Sequence, residues 1–171
     1  MIPFYVVDPE LAANETRVIN LFVSQRGVPA GSCGLLESYC PDPACDCRRV
    51  MLNVVEEKRP ERFLASISYG FDRDEEMAGP FLDPLNPQSP YAEGLLALVE
   101  GVVLSDPRYV ARLEQHYNLV KQAASDPHHP AYGKLQKVLA DDAVPLPTPK
   151  PARRTRKKLK TQKSRRKRRR R

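Results

Sequence analysis

Four segments in the first half of the chain carry runs of Val, Ile, Leu, Phe and Tyr bounded by glycine, proline or charge clusters: Arg17 to Ser24, Gly34 to Tyr39, Arg49 to Glu56 and Arg62 to Phe71. Branched and aromatic side chains between turn formers predict strands. In the last segment Phe63, Ala65, Ile67 and Tyr69 alternate with Leu64, Ser66, Ser68 and Gly70. That period of two places the larger apolar side chains on one sheet face, and a one-faced antiparallel sheet needs a cover.

The second half supplies it. Ser89-Pro90 and Asp106-Pro107 each set a capping side chain before a proline suited to the first helical turn. The first predicted helix runs from Pro90 to Leu104 with Leu95, Leu98, Val99, Val102 and Val103. The second runs from Pro107 to Ala124, where Tyr109, Val110, Leu113, Tyr117, Val120 and Ala124 recur at spacings of three and four. A third spans Pro130 to Ala140 and presents Leu135, Val138 and Leu139. Strands followed by helices predict an α+β domain: a small, mainly antiparallel sheet covered by two or three helices.

Composition changes this picture only at the C-terminus. The 171 residues, 41% apolar and 29% charged, fit one soluble domain with additions. The net charge of +7 divides into −8 for residues 1–149 and +15 for residues 150–171, which hold no acidic residue. The alternating prolines from Val144 to Pro151 favour an extended spacer. The predicted organisation is therefore a domain over residues 1–142, a proline-rich linker over 143–151 and a disordered basic tail over 152–171. The first residues lack both a basic start and a long apolar stretch, so neither a secretion signal nor a membrane span is expected, and the expected location is the cytoplasm.

All four cysteines fall between Cys33 and Cys47. In Cys40-x4-Cys45-x-Cys47, Pro41 and Pro43 force a turn that returns Cys45 towards Cys40, and the single spacer aims two sulfurs at one centre. Converging soft donors predict a bound Zn²⁺. Arg48 and Arg49 are placed to offset its excess negative charge. Along an extended strand Cys33 would lie roughly 23 Å from Cys40, at about 3.3 Å per residue, which removes it from the centre. His116, on or beside the apolar face of the second predicted helix, is the candidate fourth ligand; Asp42, Asp46 or a water molecule are the alternatives, and a satisfied core histidine is the plain reading. His128 and His129 are expected in an exposed loop. A disulfide fits a reduced compartment poorly, and a redox dithiol would show Cys-x-x-Cys before a helix. The runner-up reading is a zinc- or thiol-dependent enzyme, or a redox or regulatory protein, acting through Cys40, Cys45 and Cys47.

The segment Tyr39-Cys40-Pro41-Asp42-Pro43-Ala44-Cys45-Asp46-Cys47-Arg48-Arg49-Val50, together with Phe81 to Gln88 and His116-Tyr117, resembles a family of uncharacterised bacterial proteins with a YCxDPxCDCRRV signature. The resemblance spans about residues 17 to 125. Some such proteins are associated with the SEC-C type of zinc motif, whose second half, Cys-Cys or Cys-His, is absent here. The resemblance implies a bacterial, cytoplasmic, metal-binding protein and implies no substrate.

In the tail, Arg153, Arg154, Arg156, Lys157, Lys158, Lys160, Lys163, Arg165, Arg166, Lys167, Arg168, Arg169, Arg170 and Arg171 form a dense cationic run. Counterion release makes such a run a salt-sensitive binder of nucleic acid, RNA or DNA, with little sequence choice. It holds no aromatic residue to stack on bases. Solubilisation, folding back onto the acidic body and attraction to a membrane surface are the other readings. The acidic clusters Glu56-Glu57 and Asp72 to Glu76 read as charged turns, and the phosphate-binding glycine loop, Gly-x-Ser-x-Gly and His-Glu-x-x-His are absent. The expectation is a zinc-stabilised, non-enzymatic protein.

Overall fold

A computed structural model describes residues 1–142 apart from 73 and 76, so the predicted linker and tail lie outside the described residues. Its strands are β1 (Ile2–Pro3), β2 (Arg17–Leu21), β3 (Gly31–Tyr39), β4 (Arg49–Glu56), β5 (Arg59–Gly70) and β6 (Phe81–Leu82). Its α-helices are α1 (Pro9–Glu15), α2 (Ala92–Leu98), α3 (Pro107–Ser125) and α4 (Tyr132–Asp142). A 3₁₀ turn over Phe4–Val6 comes after β1, and a π-helical turn over Val99–Val103 extends α2. The α+β class holds, with an antiparallel sheet from the first half of the chain and helices mostly from the second.

The sheet order is β1-β3-β4-β5-β6, and β2 pairs with β3 on the edge that β1 also uses. Register aligns Leu35 with Val54 and Ala65, Glu37 with Leu52 and Ile67, and Tyr39 with Val50 and Tyr69. These residues, all buried, face Leu95, Leu98, Val99, Val103, Leu113, Val120 and Leu135 of the helical layer in one core. The opposite face carries Ser38, Asn53 and Ser66 in a hydrogen-bonded row, where Ser66 Oγ donates to Asn53 Oδ1 at 2.8 Å. One apolar and one polar face are what the alternation in β5 predicts.

Phe63 departs from that alternation. Val54 opposes Ala65 but Val55 opposes Phe63, so β5 carries an extra residue there and Phe63 turns outward, 45% exposed. A bulge of one residue shifts the side chains beyond it to the opposite face of the sheet. The long helix expected from Pro90 instead begins at Ala92, and its last turn widens so that Leu104 N–H donates to the Val99 carbonyl. The widened turn leaves Val102 exposed while Val99 and Val103 stay buried. Asp106 caps α3 as predicted, accepting from Arg108 N–H at 3.0 Å.

Beyond β2, Gln25 to Val28 close a tight turn with Arg26 at φ 52° and Gly27 at φ 77°, the paired positive angles of a two-residue hairpin turn. The Arg26 carbonyl lies directly on α2. A Cβ on Gly94 would collide with that oxygen and stand 2.9 Å from Val28 Cγ2. Gly94→Ala is therefore expected to destabilise the protein by about 1–3 kcal/mol, the usual cost of overpacking, as measured by urea unfolding. If the variant is as stable as the parent, helix and turn are not in contact.

Candidate metal centre

The connection between β3 and β4, residues 40–48, carries Cys40, Cys45 and Cys47, and its shape comes from local hydrogen bonds. Asp42 Oδ1 accepts from Ala44 N–H at 2.9 Å and the Asp42 carbonyl from Cys45 N–H at 3.2 Å, turning the chain back on itself. Arg49 N–H then donates to the Cys47 carbonyl at 2.9 Å and starts β4. As a result the three sulfurs lie within 4.8 Å of one another, close enough to hold a metal ion. Three sulfurs about 2.3 Å from a tetrahedral ion stand about 3.8 Å apart, so little movement is needed to close on one.

The sulfurs polarise one another. Hydrogen bonds from Cys47, by its thiol first and then its backbone, hold the Cys45 thiol below its ordinary range, with help from Cys40 and Lys121. Burial first, and then the Cys45 and Cys40 sulfurs, push Cys47 up to about 12. A metal held here would take the sulfurs as thiolates and displace their protons, so its uptake would strengthen as pH rises.

Helix α3 holds the loop in place. Lys121 Nζ donates to the carbonyls of Asp42 at 2.5 Å and Cys45 at 2.8 Å, and lies 5.2 Å from the centroid of the Tyr117 ring. Arg48 pairs with Glu114 at 3.8 Å across an exposed surface. Glu114, Tyr117 and Lys121 recur at three and four residues and form one stripe of α3. Removing the clamp with Lys121→Gln is expected to weaken metal affinity about 10–100-fold, the range for residues that orient ligands, in a competition titration with a chelator. Unchanged affinity would show that the loop is set by its own turn.

His116 lies on a different stripe and is not brought to the sulfurs. Its Nδ1 contacts Glu37 Oε2 at 2.6 Å and its Nε2 contacts Glu15 Oε2 at 3.0 Å, while its ring stacks on Phe4 with centroids 4.0 Å apart. Both ring nitrogens are engaged by carboxylates away from the cysteine loop, so neither is turned towards the sulfurs. The expectation failed because one step along a helix turns a side chain by about 100°. Tyr117, the next residue, is the one near the sulfurs, and its hydroxyl is held above its ordinary range by burial and then by those sulfurs. Among the described residues no His, Cys, Asp or Glu completes the cysteine group as a fourth member.

The remaining candidates are dispersed. Cys33 is buried mid-sheet opposite Glu56 and Ile19, as the distance argument required. Arg49 turns away from the sulfurs to Ser68 Oγ, Glu75 and the Met77 carbonyl. His128 is exposed, whereas His129 is half-buried and its Nδ1 accepts from Ala131 N–H at the start of α4.

Sequence reasoning missed a second polar group, around His116. Glu37 Oε2 also accepts from the Tyr39 hydroxyl at 2.8 Å, and Arg112 Nε lies 3.4 Å from Glu15 Oε2. Burial, and then the Glu37 charge, raises the Tyr39 and Tyr109 hydroxyls above their ordinary range. The signal was available in the alternation of Leu35, Glu37 and Tyr39, which sets a carboxylate on the inward face of β3. Among the described residues no helix is long and apolar enough to cross a membrane. No family model, curated protein or solved structure matches this chain.

Proposed function

We propose that this is a zinc-stabilised, non-enzymatic binding protein whose basic tail engages nucleic acid, structured RNA in the first place. The observation that carries the metal half is the convergence of Cys40, Cys45 and Cys47 within 4.8 Å on a loop clamped to α3. Soft thiolates at short spacing select zinc over oxygen-seeking cations, and Lys121 offsets part of the resulting charge. Bound there, zinc would link the β3–β4 turn to the helical layer. The nucleic-acid half is supported by charge alone: 15 Lys and Arg over residues 150–171 against a body of −8. The cysteine-segment resemblance supports a bacterial cytoplasmic setting, where the thiols stay reduced.

The test is elemental analysis of full-length protein purified without added metal, alongside RNA and DNA binding measured against salt concentration. Near-stoichiometric zinc and a steep linear fall of log affinity with log salt are the expected results. Metal-free protein with freely titratable thiols, or salt-independent binding, would overturn the corresponding half.

Three sulfurs without a described fourth partner also favour a second reading, since catalytic zinc keeps one position open. X-ray absorption separates the two: a water beside three sulfurs supports an enzyme, and a closed shell supports the structural role.

A further inference from the structure

Strands β1 and β2 pair along the same edge of β3, at Ser38–Tyr39 and at Gly31–Leu35. Leu36 and Glu37 have no strand partner on that edge, and the chain between β1 and β2 arches over the gap. Beneath the arch is a cavity of about 160 Å³ that opens to solvent. Phe4, Pro9 and Leu35 give it an apolar wall, and Glu15, Glu37 and His116 a polar one. A cavity of about 150 Å³ holds a benzene ring, so this one has room for a small organic molecule.

The side chains of the polar wall, Glu15, Glu37 and His116, leave only acceptors free. Both ring nitrogens of His116 are spent on the Oε2 atoms of Glu37 and Glu15. The Thr16 hydroxyl donates to the Ala12 carbonyl. The Oε1 atoms of Glu15 and Glu37 have no hydrogen-bond partner among the described residues, and Glu37 is only 7% exposed. The His116 and Thr16 side chains are committed, Tyr5 also lines the cavity but is 54% exposed, and carboxylate acceptors remain. Burying a carboxylate in the inward row of β3 is costly unless it is paired, and Glu37 Oε1, which has no partner among the described residues yet is not among the buried unpaired atoms, is reached by solvent. Tyr109 Oη and two nitrogens of Arg112 are buried donors without hydrogen-bond partners, but neither residue lines the cavity, so they give an anion no hold there.

We propose that this cavity binds a small organic ammonium ion, its N–H groups donating to Oε1 of Glu37 and Glu15 and its apolar body resting on Phe4, Pro9 and Leu35. Charge-assisted hydrogen bonds favour ammonium over a neutral donor of the same shape. The site is separate from the cysteine loop and does not depend on metal.

Benzylammonium, benzyl alcohol and benzoate test this by calorimetric titration of the full chain. One benzylammonium is expected to bind per protein, at least tenfold more tightly than benzyl alcohol, with benzoate not binding. Glu37→Gln, and Glu15→Gln if the first fails to fold, should each weaken benzylammonium at least tenfold. Ala13→Phe, which fills the mouth from an exposed position of α1, should abolish binding while leaving the melting temperature unchanged. Equal affinities for ammonium and alcohol, preference for benzoate, no binding of any probe, or binding that survives Ala13→Phe would each overturn the proposal.

Discussion

Cys45→Ser protein is expected to emerge from purification without metal and to unfold well below the parent. Cys45 is central to the sulfur group: both other cysteines hydrogen-bond to it, and it is the one held towards the thiolate form. A serine oxygen keeps the size but is a poor ligand for a soft centre. Structural zinc contributes about 10–16 kcal/mol of folding free energy in zinc-finger peptides, where the metal replaces a core. Here a continuous core spans sheet and helices, so the loss is a fraction of that, at least about 3 kcal/mol. A domain of this length loses about 2–4 °C in melting temperature per kcal/mol, which puts the expected drop at no less than about 6 °C. Cys33→Ser is the control: its sulfur is buried away from the centre, and metal content should not change. Metal and melting temperature both retained in Cys45→Ser would refute a structural centre.

Deleting residues 150–171 should abolish most nucleic-acid binding and leave the folded body intact. The deletion removes 15 cationic residues, and the remaining chain carries −8 and repels phosphate. If about half of those cations contact phosphates, full-length binding falls roughly 10³–10⁵-fold between 50 and 200 mM salt, and the truncated protein falls to background at every salt. Fluorescence anisotropy with duplex and single-stranded RNA and DNA of equal length reads both, and circular dichroism of the truncated chain reports on the fold. Equal binding by the truncated body would move the nucleic-acid surface onto the domain or remove it.

How much of this was legible in the sequence depended on whether the signal was local. Strand β4 lies at the predicted Arg49 to Glu56, and α3 ends one residue beyond the predicted Ala124, because alternation and a capped three-four stripe are properties of the segment itself. The cysteine group was equally legible, since two prolines and close spacing fix the turn wherever it is placed. Helix α1 carries the same cap as α3, Asp8 before Pro9, with Asp8 Oδ1 accepting from Leu11 N–H at 2.9 Å. Its seven residues bury no side chain and show no stripe, so periodicity does not find it. The placement of His116 was not legible: which neighbouring stripe of a helix meets the cysteine loop is decided by docking on the sheet. The bulge at Phe63 and the widened turn after α2 arise from the same long-range fit.

The positions of the cysteines would let a bound metal act early in assembly. Cys40, Cys45 and Cys47 span eight residues of a hairpin connection, so bringing them together closes only a short loop at small entropic cost. The lysine that clamps them is 76 residues further on from Cys45. During synthesis the sulfurs can therefore capture an ion and register β3 against β4 before α3 has left the ribosome. Lys121 would then meet a turn that is already formed, and metal supply would act on folding at its first long hairpin rather than at its last step.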